Sequence, residues 1–443
     1  MAKQTVLKSS KYLRAIRASI ERLREDAIEK AELIAELAEP PMKEFQSAKA
    51  LADMLAEASF RVTWPWANIP TAFKATFGKG RPKIALLAEY DALPDCGRRS
   101  GQWGHGCGHN LLGVASVVAG IVSAKVLDRV GMEGQIVVFG TPAEESLSGK
   151  VLMAEQGAFK GLDAVLAWHP GGSTSVMLAG GLAMDSVSFV FKGRTAHAAG
   201  APHKGRSALD GAMLTDIAVN YMREHIESNA RIHSVIPQGG VAPNVVPDRA
   251  EIWYYVRGRD RNQVDELTAW VTRCAKAGAM ATQTTCRRVF HDSVAERIPN
   301  RVLAEAMEAI CRRCGHPRFT QQEQRAVAKI VPEGKYATGI EGIKTEQGSG
   351  SSDEDNVSWF APLARLTVAC VPSGTVGHHR QYAEAVRTPG AHRGMCKAAE
   401  YLAAGAVELA INKRLLNKAK AEYKKNRRPK QYKLPKRSSG PHH

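Results

Sequence analysis

The chain has 443 residues, 44% of them hydrophobic and 24% charged, which is the composition of a globular protein too long for a single core, so two or three domains are expected. Its formal net charge is +17, but residues 411–443 hold twelve Lys and Arg against one acid and so carry +11 of it, which leaves a mildly basic body. Eight cysteines are too sparse for a disulfide framework, and the absence of a long apolar run argues against a membrane span or a secretory signal, so we expect a cytoplasmic protein.

The first part of the chain predicts helices followed by buried strands. Apolar residues at helical spacing indicate helices over 11–38, 44–58 and 111–126. Four short apolar runs without alternation are typical of strands buried on both faces: 84–88, 136–139, 164–168 and 366–371. Such strands, separated by helices, predict an α/β fold with a mixed sheet, in which ligands bind beyond the carboxyl ends of the strands.

Residues 184–293 change character. An alternating strand at 185–191 is followed by a helix at 207–228, strands at 231–237 and 250–257, a helix at 262–280 and a further strand at 284–290. This order predicts a smaller α+β (ferredoxin-like) domain inserted into the larger one. The predicted organisation is therefore 1–183 and 294–420 for the catalytic domain, 184–293 for the insertion and 421–443 for a basic tail, with a loop at 345–356.

The glycine-rich segment 104–110 is the most informative stretch for chemistry. Cys107 and His109 flank one glycine there, so a loop presents both side chains to the same ion. A thiolate and an imidazole suit zinc and other late first-row metals. The Cys-x-His spacing alone is a weak signal, and a purely structural role is the alternative.

Further metal-competent side chains follow the other strands. Glu144 and Glu145 come after the second strand, where one carboxylate is able to bind metal while its neighbour acts as a general base, although a solvated pair is the alternative. His169 ends the third strand, and His378, with His379 as its alternative, follows the fourth. Since donors at four strand ends converge on one sheet edge, the sequence predicts a metal site. Five protein ligands exceed one tetrahedral zinc, so we expect one or two divalent ions per subunit, with zinc, manganese, cobalt and iron all candidates.

These residues resemble the aminoacylase/carboxypeptidase-type metallopeptidases, within them the aminobenzoyl-glutamate hydrolase branch. The resemblance covers about residues 30–425. It rests on ordered motifs, which are Leu87-Ala88-Glu89-Tyr90-Asp91-Ala92-Leu93, Gly104-His105-Gly106-Cys107-Gly108-His109-Asn110-Leu111-Leu112-Gly113, Ala143-Glu144-Glu145, Trp168-His169-Pro170, Ala196-His197-Ala198-Ala199, Gly205-Arg206-Ser207-Ala208-Leu209-Asp210, Pro243-Asn244-Val245-Val246-Pro247 and Asp355-Asn356-Val357-Ser358-Trp359.

The resemblance implies roles for individual residues. It implies metal binding by Cys107, His109, Glu145, His169 and His378. Glu144 is implied as the general base and Asp91 as a residue that orients the ligands. His197 is implied to stabilise the oxyanion from the partner subunit, while Asn244 and Arg257 line the substrate pocket. The inserted domain is similar to the family's dimerisation lid, which implies a homodimer or a higher homo-oligomer.

The chain departs from the branch around the last ligand. The branch usually has Gly-Thr-Pro-x-His followed by a small hydroxyl residue and Trp, whereas residues 374–380 read Gly-Thr-Val-Gly-His-His-Arg. Arg380 stands where an aromatic residue is usual, which indicates a substrate pocket tuned to a different acidic group.

The leading hypothesis is a metal-dependent hydrolase that cleaves a C–N bond of a small carboxylate-bearing substrate, in particular the amide of an aryl-acyl or acyl amino acid such as aminobenzoyl-glutamate. The alternative is hydrolytic deamination of an aminoaromatic acid such as 5-nitroanthranilate, with release of ammonia, as in a relative within the family. A third hypothesis is a non-catalytic or nucleic-acid-binding protein that uses the basic tail, which the intact ligand set disfavours. Cys311 and Cys314 lie at a helix end without a second Cys-x-x-Cys, so we assign them a structural role.

Overall fold

A computed structural model describes residues 2–427, 431–432 and 434. The described helices, in chain order, are α1 (Ala2–Leu37), α2 (Phe45–Glu57), α3 (His109–Arg129), α4 (Glu144–Leu147), α5 (Gly149–Glu155), α6 (Ala208–Met222), α7 (Arg261–Ala281), α8 (Arg301–Cys314), α9 (Gln321–Ala328), α10 (Glu354–Val357), α11 (Arg380–Ala385), α12 (Pro389–Ile411) and α13 (Lys413–Arg427). Short 3₁₀ turns cover Pro202–Lys204 and Arg223–His225.

The described strands are β1 (Arg61–Thr63), β2 (Phe73–Lys79), β3 (Lys83–Ala88), β4 (Gly134–Gly140), β5 (Ala164–Gly171), β6 (Ser175–Met177), β7 (Ala183–Lys192), β8 (Arg231–Gln238), β9 (Arg249–Gly258), β10 (Thr285–Val294), β11 (Ile343–Lys344) and β12 (Leu363–Ala369). The chain divides into two compact units. The first takes its described residues from 1–180, 297–346 and 356–431, and the second takes most of its own from 181–296 and 347–355.

The first unit contains an eight-stranded mixed sheet in the order β1-β2-β4-β3-β5-β12-β6-β11. Its central strands β4, β3, β5 and β12 are mutually parallel, so their carboxyl ends meet at one edge. Side chains of β3 alternate between two cores: Ile84 and Leu86 pack with α1, α3 and α12, while Ala85 and Leu87 pack with Phe159 on the other face. The buried, unalternating strands of the sequence are therefore those of a sheet covered on both faces.

Among the described residues, helix α3 is long and apolar enough by composition to cross a bilayer. The sequence of α3 contains Ser, Gly and Lys, so it has no uninterrupted apolar run. In the structure 94% of its most apolar window is buried inside the protein. A helix that is apolar on all sides is typical of a protein core, and α3 fills that place beside the sheet.

The second unit is an antiparallel four-stranded sheet in the order β10-β7-β9-β8, with the chain order β7-α6-β8-β9-α7-β10. Its core lies between the sheet and the helices α6 and α7. This is the βαββαβ arrangement expected of a ferredoxin-like domain. The unit begins at Gly181 and its first segment ends at Glu296, beside the predicted range 184–293.

Helix α13 carries the first part of the basic segment and packs on the first unit. The carboxylate of Glu422 accepts hydrogen bonds from the backbone N–H groups of Arg301 (3.0 Å) and Val302 (2.9 Å), which begin α8. Asn300 also donates from its amide to the carbonyl of Ala419. The predicted start of the tail at residue 421 thus falls within a helix that runs to Arg427, and residues 428–430, 433 and 435–443 of the predicted tail lie outside the described residues.

Candidate metal centre

The parallel strands of the first unit deliver polar side chains to one edge of the sheet. Glu89 and Asp91 follow β3, and Glu144 and Glu145 follow β4 at the start of α4. His169 lies near the end of β5. Cys107 lies two residues before His109, which is the first residue of α3, and His378 lies in the loop after β12. This placement follows from topology, because parallel strands end on the same side.

The loop before α3 depends on glycine. Gly108 has a φ of +78°, a conformation that other residues adopt at a cost, and a Cβ there would lie 2.7 Å from Cγ of Pro170. Gly106 is packed as tightly, since a Cβ would come within 2.6 Å of the Cys96 sulfur. The carbonyl of Gly106 accepts a hydrogen bond from the N–H of His378 at 2.9 Å, which joins the loops that carry Cys107 and His378.

Five candidate ligands lie within short distances of one another. The sulfur of Cys107 is 3.2 Å from Nε2 of His169. Oε1 of Glu145 is 3.7 Å from Nε2 of His109, and Oε2 of Glu145 is 3.5 Å from Nε2 of His378. Three groups of donor atoms, each with all separations within 4.8 Å, contain the whole set: Cys107, His109 and His169; Cys107, Glu145 and His378; His109, Glu144 and Glu145.

Asp91 organises two of these residues. Its Oδ1 is 2.8 Å from Nδ1 of His109, and its Oδ2 accepts a hydrogen bond from the backbone N–H of Glu145 at 2.9 Å. With Nδ1 of His109 held by the carboxylate, Nε2 is the nitrogen left to bind an ion. Asp91 therefore fixes the orientation of the His109 ring and holds the backbone of Glu145.

The residues fit a divalent cation. Nε2 of His109 and Oε1 of Glu145 are buried and make no hydrogen bond with any described residue, although they face each other at 3.7 Å. A buried polar atom left without a partner costs about 1–3 kcal/mol. A cation between these atoms removes that cost, and the imidazole, carboxylate and thiolate donors around it suit zinc, manganese, cobalt or iron.

The electrostatics of the cluster also favour a cation. Burial, followed by the Glu144 carboxylate, raises the pKa of Glu145 to about 8. Burial, and then the Glu89 carboxylate, raise the pKa of Glu144. Burial, with Arg365 and His109, lowers the pKa of His169 to about 3, so this imidazole is neutral and free to bind metal. Carboxylates crowded in this way repel one another unless positive charge is present.

His378 and its neighbours have different surroundings. His378 has a side chain that is 60% exposed and lies beside Glu145. His379 instead caps α11, because its Nδ1 accepts a hydrogen bond from the N–H of Gln381 at 3.2 Å. Arg380 is the first residue of α11, and its Nε is buried without a hydrogen-bond partner among the described residues.

The other predicted site residues lie in the second unit. His197 is exposed, and its Nδ1 accepts hydrogen bonds from the N–H groups of Ala199 (3.2 Å) and Gly200 (3.0 Å). The exposed Asn244 accepts from the N–H of Ala198 through its carbonyl at 3.0 Å, so it lies beside the His197 loop. Arg257 is half-buried near the end of β9 and donates to Oγ of Ser351 at 2.7 Å.

Sequence reasoning missed three buried groups near the cluster. Nζ of Lys150, on α5, lies 2.7 Å from Oε1 of Glu89, and both side chains are buried. Burial opposes ionisation of Glu89, but Lys150 and His109 lower its pKa to about 2, so it stays a carboxylate. Glu44 is also fully buried, and its carboxyl group accepts a hydrogen bond from the N–H of Ala143, the residue before Glu144. The position of Glu89 after a buried strand, like that of Asp91, could have identified it from the sequence. No sequence pattern marks Lys150 or Glu44.

Comparison with known proteins gives consistent matches. Residues 183–282 match a family model described as the peptidase dimerisation domain of M20 proteins. The chain is 35% identical over 428 residues to one of the p-aminobenzoyl-glutamate hydrolase subunits of Escherichia coli, covering 87% of this chain and 89% of that protein. It is 30% identical to the Xaa-Arg dipeptidase of Mus musculus, covering 81% and 79%.

Solved structures share the fold. An aminobenzoyl-glutamate utilization protein from Klebsiella pneumoniae superposes with a TM-score of 0.60 at 18% identity, covering 90% of this chain and 98% of that one. A dinuclear metal-binding peptidase of the M20 family from Bacillus subtilis superposes with a TM-score of 0.58 at 18% identity, covering 88% and 99%. At these identities the similarity concerns the fold.

Proposed function

Because this chain belongs to the M20 peptidase family and is a hydrolase of C–N amide bonds, we propose that it cleaves the amide of an acyl or aryl-acyl amino acid of the aminobenzoyl-glutamate type. The family, the α/β fold with an inserted domain and the hydrolase class agree with the resemblance inferred from the motifs, which is thereby confirmed. The substrate is our proposal, and it rests on the name of the relative that is 35% identical.

One observation supports this function most strongly: buried donor atoms of His109 and Glu145 face each other without hydrogen bonds, with Glu144 beside them. We assign Cys107, His109, Glu145, His169 and His378 as the residues that hold one or two metal ions. A divalent metal supplies Lewis-acid chemistry to an amide carbonyl and acidifies water. We propose manganese, zinc, cobalt or iron as the metal, since each suits imidazole, carboxylate and thiolate donors.

Glu144 is the general base of the proposed reaction. Its carboxyl lies next to the proposed ligand Glu145, and burial, followed by the Glu89 carboxylate, raises its pKa, which makes it a stronger base than a solvated carboxylate. Glu144 thus takes a proton from water and returns it to the leaving nitrogen. Asp91 keeps Nε2 of His109 directed at the metal by holding Nδ1.

His197 is suited to stabilise an oxyanion. Two backbone N–H groups donate to its Nδ1, so the neutral ring carries its proton on Nε2 and presents a donor. We assign this donor, as the family resemblance implies, to His197 of the partner subunit. Asn244 and Arg257 bind the substrate, and Arg380, with an unpaired buried nitrogen, is assigned to an acidic group of the substrate.

An apolar surface on the second unit supports a homodimer. On α6, Met213, Ile217 and Tyr221 are 51%, 49% and 76% exposed and follow one another at helical spacing. Strand β8 is an edge of the sheet and pairs only with β9 among the described strands. An exposed apolar face beside an open sheet edge is a typical protein–protein contact, and these residues lie within the segment that matches the dimerisation model.

We also propose a cytoplasmic location, because all eight cysteines are free thiols and most are buried. The function is tested by a substrate panel on the metal-loaded protein. Release of glutamate from aminobenzoyl-glutamate supports amide cleavage, whereas release of ammonia from 5-nitroanthranilate without amide cleavage contradicts it.

A further inference from the structure

We propose that Glu89 is an additional metal ligand, held in place by the buried ammonium of Lys150. The proposal deepens the function proposed above, since it rests on the same ligand set and adds a sixth protein donor to it. It rests on the distances between three buried side chains, which are Glu89 after β3, His109 at the start of α3 and Lys150 on α5.

The first step concerns the metal-facing nitrogen of His109. Because Oδ1 of Asp91 holds Nδ1 at 2.8 Å, Nε2 is the nitrogen available to an ion. Two carboxylate oxygens approach it: Oε2 of Glu89 at 3.3 Å and Oε1 of Glu145 at 3.7 Å. Neither contact has the geometry of a hydrogen bond, and Nε2 has no hydrogen-bond partner among the described residues.

The second step concerns what such separations mean. Two donor atoms that share a tetrahedral ion at bond lengths near 2.0–2.1 Å are about 3.3 Å apart. Oε2 of Glu89 lies at that separation from Nε2 of His109, whereas a hydrogen bond between them is typically about 2.9 Å long and aligned. Glu89 is therefore placed as a second donor to the ion that His109 binds.

The third step concerns Lys150. Its side chain is fully buried, and its Nζ lies 2.7 Å from Oε1 of Glu89, which leaves Oε2 toward His109. Gly149 allows α5 to come this close, since a Cβ at that position would lie 1.9 Å from the carbonyl oxygen of Pro142. Burying an ammonium group costs free energy unless an anion lies beside it, and the Glu89 carboxylate is such an anion. The same contact holds the Glu89 side chain in place.

A ligand at Glu89 adds an oxygen donor to the ion that His109 binds. The donor atoms of Cys107, His109 and His169 lie within 4.8 Å of one another, as do those of Cys107, Glu145 and His378. Harder oxygen donors favour ions such as Mn²⁺, so Glu89 shifts the metal preference of the centre toward such ions.

The test compares the full-length wild-type chain with Glu89→Gln and Glu400→Gln, each stripped of metal and titrated with Co²⁺ alone. Glu400 is the matched control, because it is another buried glutamate (7% side-chain exposure) paired with a lysine, Lys397 at 2.6 Å, on α12. Calorimetry measures Co²⁺ affinity and stoichiometry, and visible absorption reports the coordination number. We expect Glu89→Gln to bind one Co²⁺ at least about tenfold more weakly and to show a more intense d–d band, with Glu400→Gln unchanged.

An unchanged absorption spectrum in Glu89→Gln overturns the proposal even if affinity falls, since Glu89 then acts from outside the coordination sphere. If Glu89→Gln does not fold, a crystal structure of the wild type soaked in Mn²⁺ decides by anomalous scattering. A Glu89 oxygen within about 2.4 Å of an ion supports ligation, and a distance beyond bonding range refutes it. If the wild type binds no Co²⁺, the proposed metal-dependent function itself is refuted. If the wild type and Glu89→Gln bind Co²⁺ equally well, only the role of Glu89 is refuted.

Discussion

The carboxyl group of Glu44 accepts a hydrogen bond from the backbone N–H of Ala143 at 2.9 Å, so a residue from the start of α2 holds the turn that leads into Glu144. Ala143 has a φ of +57°, a left-handed conformation that costs a non-glycine residue energy. Burial, and then Asp91, raise the pKa of Glu44 to about 8. This contact supports the segment that carries Glu144 and Glu145.

Glu44 gives the metal-free protein a pH-dependent stability. The folded pKa is about 8 against an ordinary value of 4.5, so between these values the folded state keeps a proton that the unfolded chain has released. The free energy of unfolding therefore falls as pH rises through this window, by up to about 1.4 kcal/mol per unit from this group. We expect Glu44→Gln to lower that slope in urea unfolding at pH 5, 6, 7 and 8, while Glu44→Leu also loses about 1–3 kcal/mol at every pH because the N–H of Ala143 is left unpaired. Equal slopes in wild type and Glu44→Gln contradict the assignment.

Replacing Glu144 by Gln separates chemistry from metal binding. The amide keeps the size of the side chain but has no basicity, so we expect kcat to fall by about 10²–10⁴-fold with metal content unchanged. Metal analysis and steady-state kinetics on the same samples measure both. The matched control is Glu145→Gln, which we expect to lose metal as well as activity. Retained turnover in Glu144→Gln removes Glu144 as the base.

The role of His197 is tested by subunit exchange. Glu144→Gln and His197→Ala are each expected to be nearly inactive, since removal of an oxyanion donor costs about 10²–10³-fold. If the donor comes from the partner subunit, a mixed dimer contains one site with both residues intact, so mixing the two variants restores up to about a quarter of wild-type activity. No recovery, with mixed dimers detected by mass spectrometry, shows that each subunit uses its own His197.

The apolar face of α6 is expected to hold the dimer together. Ile217→Glu combined with Tyr221→Glu places charges on residues that are 49% and 76% exposed in the single chain. We expect light scattering to report monomers that keep the helical content of the wild type. Val130→Glu is the control, because Val130 is 41% exposed but lies in the first unit. Dimers that persist in the double variant place the interface elsewhere.

Most of the architecture could be predicted from sequence because buried parallel strands have a local signature. The runs that contain β3, β4, β5 and β12 are apolar without alternation, and each precedes polar residues, so topology alone brings Glu145 and His169 to the same edge. The polar–apolar alternation in the sequence 185–191 likewise indicated a different kind of sheet. In the structure, however, nine of the ten residues of β7 are buried, because β7 is an inner strand whose polar side chains are covered as well.

Tertiary contacts had no such signature. Glu44 and Ala143 are 99 positions apart, and no pattern links them. Lys150 reads as a solvated lysine in a short helix until α5 is seen to bury it against Glu89. His378 and His379 are adjacent in sequence but have different surroundings because their backbone conformations differ. His378 has a φ of +57°, and His379 caps the following helix.

The contacts of Glu422 determine where the chain can be truncated without disturbing the fold of the first unit. Its carboxylate supplies acceptors to the first two N–H groups of α8, so a deletion after Ala410, chosen to remove the positive charges, also unties a helix of the hydrolase core. Loss of nucleic-acid binding in that deletion is therefore uninterpretable as an electrostatic effect. Truncation directly after Arg427 keeps the hydrogen bonds of Glu422 to α8. It removes five basic residues, so a change in nucleic-acid binding can then be attributed to their charge: Arg428, Lys430, Lys433, Lys436 and Arg437.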